Sequence, residues 1–363
     1  MLPTIRACAH RVRNRGLRRA NPPTCGSCRH AARALIVLAA FVASCTRSTI
    51  PEALSDRDYW NLIESISEPP GSFSLSENFV SNEPRLPENV RWLASEGGVY
   101  IGVGPEQNFS YIARVRPAMA FIVDIRRENR SLHLLYKALF ELSLDRADFV
   151  SRLFSRPRPP DLGSRSSARE MFDGYEAVAP SQAIRASNLA LVRERLVNTR
   201  KLPLDAADLE WIDRALTAFY TDGPNIRFWG SRTVERDSVQ PAYRQLMTSM
   251  DMTGQTRSFL ASEDAFLFVK ELQSRNLIVP VVGDFAGPTA LRRIGDYVRS
   301  RQDVVQAFYG SNVGVYLNSV QTRAFCANLR TLPFAGDAWF VERDAVRSIG
   351  SKLDACPAAP GHQ

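Results

Sequence analysis

Four short groups of polar residues stand directly after apolar runs, and together their types suit one kind of ligand. Gly102-Val-Gly104-Pro105 closes the run that begins at Gly98. Glycines there permit a tight turn and close backbone approach, and the N-terminus of a following helix, with Asn108 at its start, offers unpaired N–H groups to a polar or anionic ligand. Asp124 lies 20 residues beyond Gly104, where a carboxylate can accept two hydrogen bonds from a ribose diol. Gly283-Asp284-Phe285 has the makings of an adenine bracket, Phe285 by stacking and Asp284 by contact with an amino group. Tyr309-Gly-Ser311-Asn312 would face a ligand's reactive end, with Tyr309 as a candidate for removing a proton. Taken singly each has a plain structural reading: a lone G-x-G is a turn, and Asp124, Ser311 or Asn312 can cap a helix. Their order and spacing point to a pocket for a small nucleoside-type ligand.

The elements needed to position these groups are legible as a parallel α/β rhythm. Strands are expected at 98–104, 118–124, 277–282, 303–308 and 338–341, and helices at 108–116, 131–142, 205–220, 262–274, 289–299 and from about 316. Continuously apolar strands alternating with helices specify a mostly parallel sheet covered on both faces, a Rossmann-like three-layer α/β sandwich. In such sheets ligands bind outside the carboxyl ends of the strands, at the switch point of strand order. Residues 155–257 break the rhythm and read as a helical insertion between the second and third strands. Residues 46–97 form an irregular arm and lead-in, and 98–363 the main domain. Arg126 and Arg127 are expected to pair with surface acids, and Arg156-Pro-Arg158 to be a solvated loop rather than a phosphate grip.

Other chemistries find little support. Of four histidines, His10 and His30 lie near the N-terminus, His362 is penultimate, and His133 falls in an apolar helical run, which offers no histidine-rich metal site and no convincing Ser-His-Asp triad. No metal is expected. The net charge of +8 is equally uninformative about nucleic acid, because eight arginines in residues 1–45 face no acid and the remaining body is formally neutral. Those arginines precede an apolar stretch of 11 residues, Ala34–Ser44, that is too short to span a bilayer but has the length of a signal-peptide core. Val42-Ala43-Ser44-Cys45 resembles a bacterial lipobox, with Cys45 the lipidated residue. Residues 1–45 therefore read as a leader that places the protein in the cell envelope as a membrane-anchored lipoprotein or exports it, or leaves it in the cytoplasm if the leader does not function. Cys326 and Cys356 are left to form one disulfide or remain two core thiols.

Where the dinucleotide fingerprint G-x-G-x-x-G places its third glycine, this chain has Gln107. That loss counts against a pyrophosphate ligand but not against a nucleoside without phosphate. Here the chain resembles the class I S-adenosylmethionine-dependent methyltransferases, with Gly102, Gly104 and Pro105 as the glycine motif, Asp124 as the ribose acid and Asp284 as the adenine-side acid. The resemblance implies a Rossmann-like fold, with S-adenosylmethionine as cofactor and methyl donor. The chain is also similar to an uncharacterised bacterial family with a methyltransferase-like fold. That similarity is carried by Ser76-Glu-Asn78, Ser81-Asn-Glu83, 99–111, 121–127 and 308–313. Glu77, Asn78, Asn82 and Glu83 would then form a lid over the cofactor, or a solvated Asx-rich loop.

Two functions follow from different classes. A methyltransferase needs mainly alignment of donor and acceptor, with Tyr309, Ser311 and Asn312 positioning the acceptor. A non-catalytic binding or scaffold lipoprotein would keep the fold and lack the activity. The leader separates them, since a protein anchored outside the cytoplasm does not meet the usual supply of S-adenosylmethionine.

Overall fold

A computed structural model describes residues 48–73, 78–94, 96–228 and 240–357. The leader with Cys45, and Glu77 of the arm, lie outside the described residues. Six strands form one sheet: β1 (Val99–Gly102), β2 (Met119–Asp124), β3 (Ile278–Val282), β4 (Val305–Ser311), β5 (Phe334–Glu342) and β6 (Val346–Ser348). Their spatial order is β3-β2-β1-β4-β5-β6. The first five run parallel and β6 returns antiparallel beside β5. The fold is the expected mostly parallel, Rossmann-like α/β sandwich. Strand direction of travel reverses between β1 and β4, which makes that gap the switch point.

The helices are α1 (Asp56–Ile66), α2 (Leu86–Trp92), α3 (Gln107–Val115), α4 (Arg127–Leu142), α5 (Arg146–Phe154), α6 (Ala168–Glu176), α7 (Gln182–Arg193), α8 (Ala206–Asp222), α9 (Tyr243–Thr248), α10 (Glu263–Ser274), α11 (Ala290–Ser300), α12 (Val313–Tyr316), α13 (Ser319–Leu329) and α14 (Ile349–Asp354). Adjacent residues of a strand point to opposite faces, and β4 shows both. Tyr309 packs on Tyr111 of α3 with ring centroids 4.8 Å apart, whereas Phe308 meets Phe325 of α13. On the first face, Phe109, Tyr136, Phe140, Phe259 and Phe266 join α3, α4 and α10 in one aromatic core. β1, β2 and β3 are buried along their whole lengths, which is why their sequences are unbroken apolar runs rather than alternations. Pro280 is tolerated inside β3 because β3 is an edge and must bond on one side only. Tyr59 of α1 covers that edge, its hydroxyl donating to the Ile278 carbonyl at 3.2 Å.

Residues 155–257 are largely helical as expected, with only two isolated bridges, Arg227 to Ala242 and Met250 to Thr256, among the described residues. They share the main core rather than building their own: Phe219 of α8 packs on Tyr136, and Tyr243 of α9 on Phe154. Asp208, buried on α8, accepts hydrogen bonds from Arg127, Arg130 and Ser131 of α4. Arg127 therefore pairs with one buried acid as well as the exposed Asp205, a correction to the expected surface pairing. Arg156 donates to the carbonyls of Tyr175 and Val178, so it ties the loop to α6 instead of being solvated. Among the described residues no helix is long and apolar enough to cross a membrane.

Candidate functional site at the switch point

The glycine turn after β1 is fixed from within. Gly104 has φ of +78°, a left-handed conformation that glycine adopts without steric cost. A Cβ on Gly102 would sit 2.0 Å from Asn108 Oδ1 and 2.7 Å from the Tyr100 hydroxyl. Asn108 fills that space. Its Nδ2 donates to the carbonyls of Val103, Gly104 and Pro105 at 3.0, 3.1 and 2.7 Å, and its Oδ1 accepts from the Tyr100 hydroxyl at 2.9 Å. Asn108 is fully buried and, with Gly102, lies behind the cavity wall, so it shapes the turn rather than contacting a ligand. His133 Nε2 donates to the Gly104 carbonyl at 2.9 Å. That leaves Nδ1 a buried acceptor without a partner among the described residues. Burial pushes the His133 pKa down to about 4, so the ring is neutral and structural.

The turn opens onto a cavity of about 240 Å³, built from the carboxyl ends of β1 to β4. Gly104 and Pro105 of β1's turn, Asp124 of β2, Asp284 and Phe285 after β3, and Ser311 and Asn312 of β4 all line it. The four sequence groups thus converge at the switch point. The arm supplies Asn78, Ser81, Asn82 and Glu83 to the same wall. Phe79 and Val80 between them are buried in the core and anchor this segment beside the cavity.

Three assignments are sharpened by the geometry. Asp124 does not present two open oxygens: Oδ1 accepts from the backbone N–H and Nε of Arg126 at 2.9 and 3.0 Å, and Oδ2 from Nη2 at 2.9 Å. One lone pair on Oδ2 remains, enough for a single ribose hydroxyl. Arg126 is accordingly a buried partner of Asp124 and not a surface one. Phe285 lines the cavity, but its ring is stacked on Phe325 at 5.3 Å and 9° and belongs to the core. Tyr309 stands behind the wall, fully buried; its hydroxyl donates to Glu83 Oε1 at 2.7 Å and accepts from Gln107 Nε2 at 3.2 Å. Burial holds its pKa well above the ordinary value, so it serves as a donor and not as a base.

Glu83 is the centre of this end of the site. Its Oε1 also accepts from Ser311 Oγ at 2.6 Å, and Ser311 sits at φ +48°, a left-handed conformation costly for a side chain. Burial raises the Glu83 pKa, the two hydroxyl bonds lowering it in part. Glu106 next to the turn is buried with both oxygens facing the Ser81 N–H, and burial pushes its pKa up to about 8.

The loop after β3 is held by a residue absent from any sequence expectation. Glu68 Oε1 accepts from the N–H groups of Thr289 and Ala290 at 2.6 and 2.7 Å, and Oε2 from the Asp284 N–H at 3.2 Å. Asp284 Oδ1 accepts from the Ala286 N–H at 2.8 Å, which leaves Oδ2 for a ligand. Also missed were Gln107, whose amide joins the turn to Tyr309, and the aromatic wall of Phe73, Phe228 and Tyr316. Gln107 carried a usable signal, an amide where a fingerprint glycine is due. The aromatics carried none, because they come from the arm, the insertion and α12.

The residues present fit a nucleoside-type ligand. Around the cavity, Asn78 Oδ1, Glu83 Oε2 and Gln107 Oε1 are buried acceptors without a hydrogen-bond partner among the described residues. Such groups are costly to leave unpaired, and a ligand with hydroxyl and amino donors would satisfy them. The model of a family described as a domain of unknown function, DUF7790, matches residues 78–159 and 204–352, more than half of the chain. The match contains every strand and all described cavity residues except Ser72 and Phe73, and it omits α6 and α7. No curated protein matches the chain.

Proposed function

Because the chain belongs to the DUF7790 family, to which no activity is attached, we propose from the cavity itself that the protein binds a small nucleoside-type ligand, S-adenosylmethionine or a relative. The observation that carries this reading is the set of three buried oxygens without a hydrogen-bond partner among the described residues, Asn78 Oδ1, Glu83 Oε2 and Gln107 Oε1, on residues that line a switch-point cavity. Asp284 Oδ2 would meet the adenine amino group, Asp124 Oδ2 one ribose hydroxyl, and the Gly104-Pro105 turn the amino-acid end. The bound group would supply a methyl carried on a positively charged sulfur. Ser311 and Asn312 would then orient an acceptor, with Tyr309, itself bonded to Gln107, holding Glu83 in place.

A second reading is favoured by one observation. Cys326 and Cys356 are disulfide-bonded, and disulfides persist in oxidising compartments. With a lipid anchor on Cys45, this supports a binding or scaffold lipoprotein of the cell envelope without methyl transfer. Calorimetric titration of the full chain with S-adenosylmethionine and with its demethylated product tests the first reading. Binding to wild type that is lost in Asp124→Ala supports it; no heat with either compound, or binding unchanged by Asp124→Ala, overturns it.

A further inference from the structure

We propose that Glu83 makes the site selective for a ligand with a fixed positive charge at its reactive end. The proposal rests on the nucleoside reading above and adds to it the charge of the ligand. Glu83 lines the cavity, is only 1 % exposed, and differs from the other acids there in how its oxygens are used. The Tyr309 and Ser311 hydroxyls both converge on Oε1, while Oε2 has no partner among the described residues. Asp124 is already neutralised by Arg126, and Asp284 stands at the β3 end. At the β4 end, beside Ser311, the one acid on the wall among the described residues is Glu83. A carboxylate in that position gains from a cation and not from a neutral thioether, because the interaction takes place away from bulk water.

The surroundings of Glu83 decide when it carries charge. Tyr309 and Ser311 of β4 donate to it, and Arg343 in the β5–β6 turn favours its ionised form. Asp344 of the same turn and Glu106 at the head of α3 oppose it. Tyr100 of β1 and Tyr111 of α3 face it as neutral phenols. Burial dominates this balance, so Glu83 holds its proton to higher pH than an ordinary glutamate. A cationic ligand would expel that proton on binding, and a neutral one would leave it in place.

S-adenosylmethionine and its demethylated product differ by the methyl and the positive charge, so the pair isolates the effect. Calorimetry on the full chain in buffers of different ionisation heat should show proton release with S-adenosylmethionine and none with the product. The affinity ratio of the two should exceed about tenfold and rise with pH. In Glu83→Gln, of the same shape, both compounds should bind with a ratio near one and no proton release. Tyr309→Phe keeps the packing and removes one donor to Oε1, so it should move the rise in the ratio to higher pH. A ratio that is independent of pH in wild type, unchanged in Glu83→Gln, or unmoved by Tyr309→Phe overturns the proposal while leaving the nucleoside reading intact. Absence of binding by either compound in wild type overturns both.

Discussion

Arg126 holds both carboxylate oxygens of Asp124, two residues away in the chain, with side-chain exposures of 5 % and 7 %. A pair so placed has lost most of its hydration, and each member depends on the other. Arg126→Ala should therefore cost about 3–5 kcal/mol in urea unfolding, by leaving a buried charge uncompensated. The double variant Asp124→Asn with Arg126→Ala should cost less than the sum of the two single changes. Additive costs would show that the pair is not coupled.

The glycine turn makes a second, sharper coupling test. Gly102→Ala places a methyl on Asn108 Oδ1 and on the Tyr100 hydroxyl, and neither can retreat because Asn108 is bonded to three carbonyls. We expect a loss of about 3 kcal/mol or more for Gly102→Ala and of about 2–4 kcal/mol for Asn108→Ala. Combined, the two should cost well below their sum, since removing the amide makes room for the methyl. Unfolding midpoints of the four proteins decide it.

Stability should have a plateau in pH, bounded by two buried residues beside the glycine turn, Glu106 and His133. Glu106 rises from 4.5 unfolded to about 8 folded through burial, so its contribution is complete below pH 4.5 and is lost as pH rises to 8. His133 falls from 6.5 to about 4 through burial, so its contribution is complete above pH 6.5 and is lost as pH falls to 4. Between 4.5 and 6.5 the two slopes oppose and cancel. From pH 6.5 to 8 stability should fall by roughly 2 kcal/mol, at about 1.4 kcal/mol per unit. Above 8, Lys137, pushed down to about 8 by burial, adds a slope of opposite sign. Glu106→Gln should remove about one proton's worth of the slope. An unchanged slope in Glu106→Gln would refute the assignment.

The Cys326–Cys356 bond closes a loop of sequence separation 30, worth about 3–4 kcal/mol in the chain-entropy account. Protein recovered without reductant should give no maleimide labelling at these two positions. Cys326→Ser with Cys356→Ser should unfold at correspondingly lower urea. In the same cells, a palmitate analogue should mark the wild type and not Cys45→Ala. Free thiols at 326 and 356 together with an unlabelled soluble product would remove the case for export.

What could be read in advance followed one physical division. Strands β1 to β4 stood out because burial on both faces demands unbroken apolar runs, and the strand ends then located the cavity. β6 escaped notice because three residues, Val346-Arg-Ser348, carry no pattern, and β5 was foreshortened because its first half is partly exposed. Within the site, each residue's place at a strand end was legible and its bonding was not. Glu83 is answered by Tyr309 across 226 residues, and the Asp284 N–H by Glu68 across 216. Pairings between segments so far apart leave no trace in local spacing. Asn108 was misassigned for a related reason: at a helix start it had the look of a ligand contact, and only packing reveals that its amide faces inward.

The carboxylate of Glu68 has a consequence for which molecules the protein ignores. The head of α11 is a natural seat for phosphate, and the arm has filled it with a tethered anion bonded to Thr289 and Ala290. A phosphate arriving at this corner meets like charge, and the N–H groups of Thr289 and Ala290 are already taken. The chain in effect carries a permanent occupant of its own helix-end anion seat.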